Sequence, residues 1–221
     1  MTDQTNDDVD AAGERSGVDL VSAERLVFFS DAVVAIAITL LALALPVPPH
    51  LTSKTLNGQT FTDIWAYRDA YLAFLISFAV IANHWRSHHR LYRDVARLDH
   101  RIISINMFWL LLIVITPWAT RLIAGNGGFG ARFTIYAVIQ VLTILAFLAM
   151  GRHIRSGQLL RTGAPPPTSR VDDAAYLAVA ATFAVSIPVA VVKNTQWAFA
   201  IWVASVFTAR AVRRVFSEKT F

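Results

Sequence analysis

Arg25 and, six residues later, Asp31 stand at the head of the apolar run RLVFFSDAVVAIAITLLALALPVP, residues 25–48, in which the only polar side chain between Asp31 and Pro46 is Thr39. A carboxylate in such a place can accept hydrogen bonds, relay a proton or hold a cation. Further on, His84 and His88 sit one helical turn apart, a spacing able to bind a metal. The chain has no cysteine, however, and no Glu completes an H-E-x-x-H pattern, so no metal site is expected. GNGGFG at 125–130 superficially suggests a nucleotide loop, but it follows an apolar span instead of a strand and lacks a P-loop lysine. It reads as a tight turn. With no nucleophile and base pair, no cofactor loop and no metal cluster, the chain does not read as an enzyme, and no cofactor is expected.

The elements that must position these residues are membrane helices. Of the 221 residues, 55 % are hydrophobic, more than a soluble core of this size can use. Six stretches are apolar and long enough to cross a bilayer, which takes roughly 20 helical residues. They are approximately 26–47, 64–85, 102–123, 133–150, 174–192 and 197–215, so the fold class is all-α with six transmembrane helices. The fifth is the weakest, because Thr182, Ser186 and Pro188 interrupt it. Pro117 and Pro188 lie inside spans and should bend them.

The connections carry the topology. Of the 20 Lys and Arg residues, fifteen fall in the N-terminal segment, the second-to-third and fourth-to-fifth connections and the C-terminus. Only Lys54, Arg68, Arg121, Arg132 and Lys193 fall on the other side. The positive-inside rule then puts both termini in the cytoplasm of a multi-pass inner-membrane protein. The formal charge of +5 lies in these short segments, which argues against nucleic acid as a partner. Arg86, Arg90, Arg93, Arg97 and Arg101 recur every three or four residues; topology alone accounts for them, and they also suit anionic lipid headgroups. Residues 1–24 hold seven acids and one arginine and cannot bury enough surface to fold alone, so they read as a disordered acidic cytoplasmic tail. A channel-sized membrane domain at 25–216 and a short cytoplasmic C-terminus at 217–221 complete the division.

On a helical wheel of 100° per residue, Ile36, Thr39, Leu40 and Leu43 share one face of the first helix, and Asp31 lies about 140° from Ile36. The costly carboxylate should turn toward other helices of its own subunit. The branched stripe is left for lipid, for core packing or for another surface.

Arg25-x-x-x-Phe29-Ser30-Asp31 followed by AVVAIAITLLALALPVP resembles the signature that opens the repeat of the lysosomal potassium channel family, the transmembrane protein 175 family, in its prokaryotic single-repeat branch. Residues 71–123, with Trp-x-x-His-His at 85–89 and Asn106, are similar to that family's second and third helices. The resemblance implies a homotetramer around one pore lined by the first helix, with K⁺ and other monovalent cations passing through it. It implies that Ile36 forms the narrow apolar ring, Leu40 and Leu43 further rings, and Thr39 a ring of hydroxyls. Arg25, Phe29, Ser30 and Asp31 would bracket this helix, with His84, His88 and Asn106 as hydrogen-bond partners of Asp31. Four branched side chains can close a pore by excluding water, and a hydroxyl ring offers a modest K⁺ preference. No TVGYG-like filter is present.

The rival reading is a proton- or cation-coupled transporter with Asp31, His84 and His88 as carriers. The absence of an internal repeat counts against it. A non-conducting scaffold is the second rival.

Overall fold

In the computed structural model, residues 4–43, 45–47, 65–125, 128–157, 159–193 and 201–202 are described, with side chains from residue 23 onward and excepting Lys193. Five helices make up the described chain: α1 (Gln4–Leu43), α2 (Arg68–Tyr92), α3 (His100–Ala124), α4 (Phe129–Ser156) and α5 (Arg170–Lys193). Four of them are long and apolar enough to cross a membrane, α2 being the exception. The polar run Asn83, His84, Arg86, Ser87, His88, His89 and Arg90 lowers the hydropathy of α2. The expected span at 197–215, the connection after α1 and the C-terminal segment 217–221 lie outside the described residues, apart from 45–47 and Ile201 and Trp202.

The membrane-length part of α1 is Ala23–Leu43. Its helical backbone also takes in residues 4–22, the acidic stretch that composition alone assigns to a tail. Extending an existing helix costs far less than nucleating one, so the apolar part can carry the acidic part with it.

Local chemistry sets the helix ends. Asp99 caps α3 by accepting the Ile102 backbone N–H at 2.7 Å, and Gly125 closes its far end. Arg132 of α4 donates to the carbonyls of Leu122 and Ile123, at 2.9 Å each, and to that of Gly125. A reciprocal pair starts α5: the Ser169 backbone N–H donates to Asp172, and the Asp172 N–H donates to the Ser169 hydroxyl. Pro117 and Pro188 each lie within a continuous helix.

α4 is the centre of the packing, flanked by α3 and α5, while α1 lies against α2 and α3. One apolar cluster joins Val34, Ala37 and Leu41 of α1 to Trp109 and Ile113 of α3 and Met150 of α4. A second joins Phe133 and Tyr136 of α4 to Phe183 of α5 and Trp202. Gly130 permits the close approach of α4 to α5, since a Cβ there would lie 3.0 Å from the Val191 backbone. The proline linker after α4 is tied to the α2–α3 connection by the bridge between Val95 and Leu160, with Ala96 N–H on the Leu159 carbonyl at 2.8 Å.

Candidate functional site

Two faces of α1 separate cleanly. Ser30, Val34, Ala37 and Leu41 recur at helical spacing and are buried against α2 and α3. Ile36 (59 % exposed), Thr39, Leu40 and Leu43 (81 % exposed) lie on the surface of the single chain. Thr39 donates its hydroxyl hydrogen to the Ile36 carbonyl at 2.8 Å. Its oxygen lone pairs are therefore free to meet water or a cation.

The buried face carries the polar bracket. His88 of α2 bonds through Nε2 to Asn106 Oδ1 of α3 at 2.8 Å, and Asn106 Nδ2 donates to Ser30 Oγ of α1 at 3.0 Å. The Ser30 hydroxyl in turn donates to the Leu26 carbonyl at 2.8 Å. Because an amide oxygen only accepts, His88 must be the donor, and every hydrogen in the chain points toward α1. All three side chains are essentially inaccessible, so each would be costly to leave unpaired.

Asp31 stands apart from this chain. It accepts a hydrogen bond from Trp85 Nε1 at 2.9 Å, and not from a histidine or Asn106. The reason is rotational: Ser30, not Asp31, points at the α2–α3 seam, and the neighbouring position reaches only the half-exposed Trp85. His84 also leaves the bracket. It is buried beside Trp109 of α3, with ring centroids 6.5 Å apart and 74° between planes, while Gln140 of α4 donates to Thr116 of α3 at 3.5 Å. Arg25 and Phe29 lie exposed on α1.

Several residues of this buried core lie beyond the expected set. Trp85 stands in the Trp-x-x-His-His motif without a bonding role assigned to it, while Trp109 reads from sequence as one more apolar residue and Gln140 as a lone polar side chain in an apolar run. Nearer the far end, Thr120 donates to Ser77 at 2.8 Å, and Ser77 shares a 3.1 Å bond with Tyr136. Among the described residues, no three His, Asp or Glu side chains converge as a metal site requires.

A family profile described as "Endosomal/lysosomal potassium channel TMEM175" matches residues 25–117. A potassium channel of Chamaesiphon minutus is 43 % identical over 140 residues, covering 62 % of this chain and 68 % of its own length. This chain belongs to the TMEM175 family. A potassium channel of Streptomyces collinus is 32 % identical over 151 residues, covering 66 % of this chain and 71 % of its own. The crystal structure of a lysosomal potassium-selective channel TMEM175 homolog from Chamaesiphon minutus superimposes with a TM-score of 0.69 at 26 % identity, covering 87 % of this chain and 98 % of that one. TMEM175 proteins are ion channels and not enzymes, and this member is an integral membrane protein with helices of spanning length. The matched stretch of the TMEM175 profile contains α1 from residue 25 onward, all of α2 and most of α3, the three helices joined by the Ser30–Asn106–His88 chain.

Proposed function

We propose that the chain is a potassium-permeable cation channel, in which four copies surround a central pore lined by α1. The observation that carries this reading is the division of α1: its polar bracket and small apolar residues are used within the subunit, while Ile36, Leu40 and Leu43 are left uncovered. In a homotetramer that uncovered face turns to the symmetry axis. Ile36 forms the tightest apolar ring, Leu40 and Leu43 form wider rings, and the Thr39 hydroxyls face the permeating ion.

Such a neck controls flow by wetting. An ion entering a dry ring of branched side chains sheds water without replacement, which is costly. Widening the ring admits water and restores conduction. Ser30 and Asp31 hold the lining helix at its cytoplasmic end. The remaining assignments follow the same reading: six spans, an inner-membrane location with both termini cytoplasmic, K⁺ flowing down its gradient, and lipid around the outer helices. The coupled-transporter alternative requires Asp31, His84 and His88 to share a proton site, whereas Asp31 bonds Trp85 and His88 bonds Asn106.

Purified protein in planar bilayers under a KCl gradient tests the reading. A K⁺-directed reversal potential is the expected result; absence of current from an assembled tetramer would leave the scaffold reading standing instead.

A further inference from the structure

His88 is held on both faces. Its ring stacks on Trp109 of α3, with centroids 4.6 Å apart and 13° between planes, and Tyr92 lies 4.6 Å away at 30°. The Tyr92 hydroxyl is itself engaged, donating to Met150 Sδ of α4 at 3.5 Å. Trp109 also meets the edge of His84, at 6.5 Å and 74°. Its indole is fully buried, and Trp109 Nε1 is the buried side-chain nitrogen without a hydrogen-bond partner among the described residues.

An unpartnered N–H in a dry interior is unfavourable, so the nitrogen is not what this position uses. What it uses is the flat ring. Trp109 follows Asn106 by three residues, on the same side of α3. One face of α3 therefore supplies both the acceptor that His88 bonds and the plate that sets the plane of its ring. Rotating His88 out of that plane would take Nε2 away from Asn106 Oδ1, free the Asn106 amide to turn, and release Ser30.

From this geometry we infer that Trp109 is a positioning residue for conduction: its indole plane orients His88 so that the His88–Asn106–Ser30 chain holds α1 at the rotation that presents Ile36 to the pore. The inference rests on the pore-lining role of α1. It makes no use of the indole N–H, which gives it a sharp signature.

The test uses the full-length assembled channel, recorded in planar bilayers, with thermal unfolding in detergent on the same preparations. Trp109→Phe keeps a flat ring against His88 and removes the unpartnered N–H. It is expected to hold K⁺ current per assembled channel within about twofold of the parent, since no hydrogen bond is lost. Trp109→Leu keeps an apolar side chain without the plane, and is expected to lower that current about fivefold, a modest bias of a two-state equilibrium. Combined with Ser30→Ala, Trp109→Leu should add nothing further, in current or in unfolding temperature, because both act through one chain. Equal effects of Trp109→Leu with and without Ser30, or damage from Trp109→Phe matching that of Trp109→Leu, would overturn the inference. Failure of the pore reading looks different: Ile36→Asn would leave the current unchanged, while the coupling of positions 109 and 30 in unfolding temperature would persist.

Discussion

Trp85 Nε1 on α2 donates to Asp31 Oδ1 on α1 at 2.9 Å, so the carboxylate at the start of the apolar run is anchored by an indole. Its neighbour Ser30 belongs to a different chain of bonds, through Asn106 to His88. Two adjacent residues thus secure α1 to two different helices. Removing the donor, as in Trp85→Phe, should cost about 1.5–2 kcal/mol, the low end for a hydrogen bond to a charged group because Trp85 is half-exposed. Unfolding temperature and tetramer yield by size-exclusion chromatography are the readouts. Asp31→Ala should lose as much, and Asp31→Asn, which keeps an acceptor oxygen, should lose less. A carrier would behave otherwise, keeping its assembly in Asp31→Asn and losing only coupled transport.

Asn106→Ala is expected to be more damaging. Asn106 is fully buried, and its loss leaves both His88 and Ser30 without their partner. The unpaired His88 N–H, together with the bond lost by Ser30, whose hydroxyl keeps the Leu26 carbonyl, amounts to about 2–4 kcal/mol. Equilibrium unfolding of the purified variant measures this, and a stability equal to that of the parent would mean that the chain holds nothing.

Ile36→Asn should raise conductance and weaken the preference for K⁺ over Na⁺, because a polar side chain wets the narrow ring. Reversal-potential recording under mixed K⁺ and Na⁺ gradients reads both effects. An unchanged current in an assembled variant would remove Ile36 from the constriction.

Thr39→Val replaces a hydroxyl by a methyl of similar volume. The Thr39 oxygen, whose hydrogen is committed to the Ile36 carbonyl, would no longer offer lone pairs to a cation. K⁺ preference should fall, while unfolding temperature changes little because the residue is exposed. A preference identical to that of the parent would assign selectivity elsewhere.

Asp99 lies just outside the span of α3. Its carboxyl is held below the usual carboxylate range, chiefly by the Ile102 backbone N–H, with desolvation opposing and the bond and charge of His153 adding to the lowering. The unfolded value is about 3.9. A group whose folded pKa is depressed contributes stability that is fully present above the unfolded value and is lost as pH falls through the folded one. Thermal unfolding followed downward from about pH 5 should therefore show an acid limb that is shallower in Asp99→Asn. The contribution is modest, because Asp99 is 42 % exposed and its contact with His153 is accessible to solvent. Identical limbs in the two proteins would show that the cap adds no pH dependence.

The helices were legible from hydropathy because a span of apolar residues leaves few alternatives, and the stretches around residues 102–123, 133–150 and 174–192 fall inside α3, α4 and α5. The second span was harder, since α2 is long enough but polar toward its C-terminal end. Within the site, the wheel sets Asp31 about 140° from Ile36. It carries no information on how neighbouring helices are rotated, and that rotation decides whether Ser30 or Asp31 reaches Asn106. The two histidines, four residues apart, should share one face; packing against α3 instead gives His88 to Asn106 and sets His84 beside Trp109. Ser77, Thr120 and Tyr136 were invisible for the same reason: a single hydroxyl in an apolar run becomes meaningful only when three helices bring such groups together.

The linker after α4 is anchored at Leu159 and Leu160 but turns away at Gly163, whose backbone takes φ +79° and around which nothing lies within 4 Å of an added Cβ. That tip is a natural attachment point for a fluorophore or an affinity handle. An insertion there should leave the subunit's interior untouched, whereas one placed three residues earlier would prise apart the seam between the α2–α3 and α4–α5 connections.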